Sequence, residues 1–113
     1  MLRDVTCMKS ICALSDLITN AGVCALLNQE QVALFYLPDH DKKVFALSNF
    51  DPFSNANVIS RGIIGSLNGE VVVASPIYKQ HFSLQSGQCL EDKSVKLKTF
   101  EVDLLNDQVV ING

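Results

Sequence analysis

Short apolar runs closed by polar turns recur along the whole chain. Residues 23–27 form one such run, closed by Asn28-Gln29-Glu30. Residues 31–37 form the next and stop at Pro38-Asp39, and residues 44–47 follow. Strands of five to seven residues joined by short links build all-β domains, so these three runs predict neighbouring antiparallel strands. Residues 63–67 and 70–74 flank Asn68-Gly69. Both central residues of a type I′ turn need positive φ, and Asn and Gly tolerate it, so a tight hairpin is predicted there. A shorter hairpin is predicted from residues 81–84 and 88–90 across Ser86-Gly87. Residues 98–105 and 108–111 pair across Asn106-Asp107. In the first of these, Phe100, Val102 and Leu104 alternate with Thr99, Glu101 and Asp103, the pattern of a half-buried strand.

Helical periodicity is nearly absent. Ser15-Asp16 can cap one turn through Leu17 and Ile18, ended by Asn20-Ala21-Gly22. No repeat, linker or low-complexity tract interrupts the pattern. The one long irregular segment, residues 49–62, is expected to face residues 75–80, which follow the Asn68-Gly69 hairpin. Long loops in compact domains carry function or cover something, so chemistry is sought there first.

A chain of 113 residues is one domain by length, and 48% hydrophobic residues supply one core. Net charge is −3 and the nine Lys and Arg are scattered, which argues against nucleic acid as a partner. Lys93, Lys96 and Lys98 lie close together, and a solvated strand edge explains them. No apolar run approaches the ~20 residues of a membrane helix, and residues 1–9 hold Arg3, Asp4 and Lys9 rather than an apolar export signal. A cytoplasmic protein is the expectation. There, Cys7, Cys12, Cys24 and Cys89 are expected to stay reduced. Cys7, Cys12 and Cys24 fall in the N-terminal strands, and no C-x-x-C pair or nearby His suggests zinc.

Catalysis finds little support. His40 sits in the polar stretch Pro38-Asp39-His40-Asp41, where it is expected to be solvated, and His81 reads as a strand side chain. No nucleophile, base and orienting group come together, and Gly62 and Gly65 open no helix that would bind phosphate.

The two loops carry a resemblance. Asp51-Pro52-Phe53, then some twenty residues on Ser75-Pro76-Ile77-Tyr78, then Phe82, Leu84, Gly87 and Leu90, resemble a Rieske domain. That family places Cys-x-His in the first loop and Cys-x-x-His in the second, and these four ligands hold a 2Fe-2S cluster. Matched position by position, Asp51 and Ser75 replace the cysteines, and Phe53 and Tyr78 replace the histidines. All four ligands are lost, and Cys89 lies too far along the chain to substitute. The resemblance narrows on residues 46–53, on Asn57-Val58-Ile59-Ser60-Arg61-Gly62, and on Ala74-Ser75-Pro76 within residues 73–84. Gly87, residues 89–92 and residues 22–27 extend it. These stretches are similar to the small subunits of NADH-dependent nitrite reductase, a Rieske-like family without cluster ligands.

The resemblance implies an all-β, Rieske-like antiparallel β-sandwich, with residues 1–113 as one domain and a smaller degenerate cluster-binding-type subdomain at about 49–90. It implies a non-catalytic subunit with no cofactor, metal or flavin of its own. Its partner would be a large subunit carrying FAD, sirohaem and a 4Fe-4S cluster, which reduces nitrite to ammonium with NADH in nitrate and nitrite assimilation. The former ligand loops would dock that subunit through Phe53, Tyr78 and Lys79, unless Phe53 and Tyr78 turn inward and fill the volume a cluster and its imidazoles would occupy. Two other function classes fit the same residues: a free-standing protein-binding module, and an electron carrier with an unusually ligated 2Fe-2S cluster. Visible absorbance of the purified chain tests the carrier, and copurification with a large flavin and sirohaem protein tests the module.

Overall fold

A computed structural model describes residues 8–112, so Cys7 and its expected strand lie outside the described residues. Strand and bridge positions make up 55% of the described residues and helix 6%, which settles the all-β class. The strands are β1 (Met8–Ala13), β2 (Ala21–Leu27), β3 (Glu30–Tyr36), β4 (Val44–Ser48), β5 (Phe50–Asp51), β6 (Ala56–Asn57), β7 (Ile63–Leu67), β8 (Glu70–Ala74), β9 (His81–Ser83), β10 (Thr99–Leu105) and β11 (Gln108–Asn112).

Three hairpins are made the same way. β2–β3, β7–β8 and β10–β11 each close on two residues at positive φ: Asn28 (50°) and Gln29 (69°), Asn68 (53°) and Gly69 (81°), Asn106 (51°) and Asp107 (62°). Asn leads each turn because its short amide tolerates the left-handed region better than most side chains do. The first turn is one residue tighter than its sequence suggests. Glu30 already pairs with Leu27 and belongs to β3.

The large sheet has six strands in the order β1-β11-β10-β4-β3-β2, and the smaller has three, β7-β8-β9. β5 and β6 pair separately. β3 and β4 lie inside the large sheet and are buried on both faces, which explains their unbroken apolar runs. Ala33, Phe35, Phe45 and Leu47 point to one core, which Val73 and Phe82 close from the small sheet with Ile59, Leu84, Cys89 and Leu97. Val32, Leu34, Val44 and Ala46 point to the other, shared with Phe100, Val102, Val109 and Ile111. β10 shows the predicted alternation, with Phe100 and Val102 buried and Thr99, Glu101 and Asp103 exposed.

The short hairpin expected over 81–90 is formed: Phe82 pairs antiparallel with Cys89, the Ser83 N–H donates to the Gln88 carbonyl at 2.9 Å, and the Leu90 N–H donates to the His81 carbonyl at 2.8 Å. Gly87, at φ 79°, reverses the chain there, and its carbonyl accepts the Leu97 N–H at 2.8 Å. Three expectations are corrected. The N-terminal turn is a 3₁₀ turn at Leu14–Asp16, and it does not run through Leu17 and Ile18. Asp16 caps it by accepting the Ala13 N–H at 2.9 Å, and Ala21 and Gly22 already belong to β2. His40 is half-buried rather than solvated, with its ring set edge-on 5.4 Å from Phe45. Lys93, Lys96 and Lys98 are exposed but sit in the connection before β10, not on a strand edge. Lys98 lies 3.3 Å from Glu30 and 4.8 Å above the Phe100 ring.

Candidate functional site

Two loops meet at one end of the small sheet. The first leaves β4 at Ser48 and begins at Asn49, a side chain only 2% exposed. Its amide nitrogen donates to Gln31 Oε1 at 3.0 Å and to the Asn57 carbonyl at 3.3 Å, and its Oδ1 accepts the Ser60 N–H at 2.7 Å. This one residue ties the start of the loop, its return and β3 together. A buried amide with its groups paired specifies a conformation, because any other leaves it unsatisfied. Sequence reasoning did not single out Asn49. Its only signal is a polar residue directly after a strand buried on both faces.

The loop then runs through β5, turns at Asn55, whose N–H donates to the Asp51 carbonyl at 2.8 Å, and returns through β6 and a 3₁₀ turn at Ile59–Arg61. The second loop, residues 75–80, closes on itself. The Ser75 N–H donates to the Gln80 carbonyl at 2.9 Å, and the Lys79 N–H donates to the Ser75 carbonyl at 3.1 Å. Lys79 pays for this tight return with φ at 68°.

The structure brings two of the four replaced positions into direct contact. The Ser75 hydroxyl donates to Asp51 Oδ2 in a short hydrogen bond. Asp51 Oδ1 accepts the Phe53 N–H at 2.9 Å. Asp51 and Ser75 are both 0% exposed. The other two positions diverge. Phe53 is half-buried and packs on the first core, its ring 6.2 Å from Phe82. Tyr78 is 60% exposed, beside the exposed Ile77 and Lys79. Of the three candidate partner-binding residues, Tyr78 and Lys79 therefore stand on the surface, and Phe53 turns toward the core. Exposed Phe50, next to Asp51, and Ile63, paired with Ala74 just before Ser75, add apolar surface at the same end.

His81 lies on β9 as its sequence predicts, but it has a partner ten residues on. Glu91 accepts the His81 N–H at 2.7 Å and faces its Nδ1 at 2.6 Å. Burial raises the Glu91 carboxyl, but these hydrogen bonds and the charge of the imidazole outweigh it and leave the group below its ordinary value. Burial likewise pushes the Cys89 thiol up.

The donor chemistry of the four positions does not fit a 2Fe-2S cluster, which takes thiolates and, in the Rieske form, imidazoles. Phe53 has no donor, and the hydroxyl of Ser75 is committed to Asp51. Among the described residues no group of three or more His, Cys, Asp or Glu side chains is placed to hold a metal ion. No helix of the described residues is long and apolar enough to cross a membrane.

Residues 8–112 match the family model of the Rieske-like [2Fe-2S] domain. The NADH nitrite reductase small subunit of Escherichia coli is 46% identical over 105 residues, covering 93% of this chain and 96% of that one. The chain belongs to the Rieske-like small subunits of NADH nitrite reductase. The NMR structure of the Escherichia coli protein NirD superposes with a TM-score of 0.82 at 46% identity, over 93% of this chain and 94% of that one. A different kind of relative is the NAD(P)H nitrite reductase large subunit of Klebsiella oxytoca. It is 38% identical over 105 residues, which span 93% of this chain but only 11% of that protein. In that organism a small-subunit-like segment is thus part of the large polypeptide itself. The family is the one implied by the Ser-Arg-Gly and Ala-Ser-Pro stretches.

Proposed function

We propose that this chain is the non-catalytic small subunit of a cytoplasmic NADH-dependent nitrite reductase, in which a large subunit carrying FAD, sirohaem and a 4Fe-4S cluster reduces nitrite to ammonium for nitrate and nitrite assimilation. The observation that carries this reading is the Klebsiella oxytoca large subunit with a segment like this chain inside it. A domain that is covalently part of the large polypeptide in one organism and a separate chain in another is expected to rejoin that polypeptide by docking.

The subunit is proposed to bind no cluster. The buried Asp51–Ser75 pair supports this, because both side chains satisfy each other where two thiolates would be needed. The docking surface is proposed to be the end carrying Tyr78 and Lys79. Exposed aromatic and apolar side chains clustered at one end suit an interface anchor, and truncating such an anchor costs about 2 kcal/mol or more. Phe53 supports this surface from beneath through its contact with Phe82.

The experiment is coexpression with the large subunit of the same organism. The chain is expected to copurify, to be colourless when isolated, and to raise NADH-driven nitrite reduction when added back. A double substitution, Tyr78→Ala with Lys79→Ala, is expected to weaken binding at least tenfold with normal melting. Full affinity in that variant places the docking surface elsewhere. Failure to bind the large subunit at all overturns the reading itself.

A further inference from the structure

β7 is an unguarded sheet edge. It pairs with β8 on one side, and among the described residues no strand lies on its other side. The two-residue turn at Asn68-Gly69 makes Leu67–Glu70 a hydrogen-bonded pair, and with it Gly65–Val72 and Ile63–Ala74. The backbone N–H and C=O groups of Ile64 and Ser66 therefore point away from β8 to the open edge. Natural edges are blunted by charges, proline, bulges or a covering loop. The five residues of β7 include no charge and no proline, and the ladder runs without a bulge. Ile63, at 74%, is the most exposed of the large apolar side chains among the described residues. A Cβ placed on Gly65 would meet nothing within 4 Å.

We propose that β7 pairs antiparallel with β7 of a second copy of this chain, about a twofold axis at Gly65. This register uses every free group of the edge. Ile64 faces the second copy's Ser66 and exchanges two hydrogen bonds with it, and symmetry repeats the exchange. The two Gly65 residues form the non-hydrogen-bonded pair at the axis, where Cα atoms approach to about 4.5 Å. Ile63 faces the second copy's Leu67, an apolar cross-strand pair made twice on the outer face. Exposed Arg61, just before β7, comes alongside the second copy's turn and its exposed Glu70. Opposite charges thus meet at both ends, and no like charges do. This self-complementarity is what favours a second copy over an unrelated extended segment. Two small sheets then join into one of six strands, β9-β8-β7 continued by its symmetry mate. The contact is about one strand wide, well short of the roughly 1,600 Å² of a standard interface. The dimer is therefore reversible and dependent on concentration.

The test is sedimentation velocity of the full chain from micromolar to millimolar concentration. The unaltered chain is expected to shift from monomer toward dimer. Gly65→Lys sets two ammonium groups against each other at the axis, while the monomer has open space for the side chain and no positive φ at that residue. It is expected to melt as the unaltered chain does and to weaken dimerisation at least tenfold. Gly65→Cys sets two thiols within disulfide reach, and mild oxidation is expected to yield a covalent dimer that the unaltered chain does not form through β7. An unaltered chain that stays monomeric throughout overturns the proposal, whatever else its edge binds. So does a Gly65→Lys chain that dimerises as strongly, with no cross-link at Gly65→Cys.

Discussion

Replacing Ser75 by alanine removes one oxygen from the centre of the molecule's two-loop end. The hydroxyl is 0% exposed and donates to Asp51 Oδ2, itself 0% exposed. The substitution leaves the buried Asp51 Oδ2 without the hydroxyl that donates to it. A buried acceptor that loses its donor costs about 1–3 kcal/mol. A value near 2 kcal/mol lowers the melting temperature by about 8 °C, at about 4 °C per kcal/mol for a domain of this size. Ser83 is the matched comparison. It is 1% exposed, and its hydroxyl accepts the Ser86 N–H at 3.2 Å. Ser83→Ala breaks only a long bond between neutral groups, for about 0.5–1 kcal/mol.

Two measurements follow. Thermal and denaturant unfolding give the stability difference, and amide hydrogen exchange shows where it falls. The amides of Phe53 and Lys79 are the informative ones, because their acceptors belong to the linked pair. Both are expected to lose protection in Ser75→Ala, while β3 and β4 keep theirs. A cycle with Asp51→Ala and the double substitution is expected to show a coupling of at least about 1 kcal/mol, as groups sharing a hydrogen bond do. The reasoning is refuted if Ser75→Ala costs no more than Ser83→Ala and the cycle is additive.

Glu91 carries a pH dependence. Its folded carboxyl is held below the ordinary value, so its contribution is complete above the ordinary range near 4.3 and is lost as pH falls through the lower folded value. Glu91→Gln is expected to cost up to about 1 kcal/mol at neutral pH, as a largely exposed pair does, with the difference closing in acid. Denaturant titrations over a pH series check this, and a difference independent of pH contradicts it. The thiols divide by burial: Cys24 is exposed and Cys89 is buried with its thiol pushed up. Iodoacetamide on the folded chain is expected to label Cys24 and to reach Cys89 only in denaturant. Equal labelling rates in mass spectrometry would show that the core around Cys89 opens.

What the residues disclosed is what local chemistry controls. Each Asn-led turn names its own hairpin, because two positive-φ residues in a row leave the backbone few alternatives. The alternation in β10 marks its buried face, and the unbroken runs of β3 and β4 mark strands buried twice. Pairings distant in sequence were hidden. β1 pairs with β11 across nearly the whole chain, and no pattern in 8–13 announces its partner. The reversal at Gly87 that brings His81 to Glu91 was legible in Ser86-Gly87, but the pairing of those two side chains was not. Periodicity also says nothing of Asp51 touching Ser75. The loop reading set the two segments face to face, and the resemblance added which positions are replaced, but neither gave a bond. The direction of Phe53 was decided by packing, since a phenyl ring has an apolar surface to bury on Phe82 and no polar edge to keep wet.

The layout of the cores keeps the two loops largely apart from what holds the fold together. The second core, from Leu27 and Val32 to Val109 and Ile111, contains no residue of either loop. The first core needs only Ile59 and Phe53 from the first loop and none from the second. Global stability therefore rests mainly on the sheets rather than on the two loops. Local order of the loops is a separate matter. Two loops that leave different sheets need a cross-link near their tips, or each must be ordered alone at an entropic cost of about 1–2 kcal/mol per residue. In a clustered domain the metal provides that link. Here Asp51 and Ser75 provide it with two side chains, while Asn49 and the closed turn of 75–80 hold each loop individually. Such a link carries no electrons, which agrees with the subunit proposed above: a fixed surface around Tyr78, built on a redox fold.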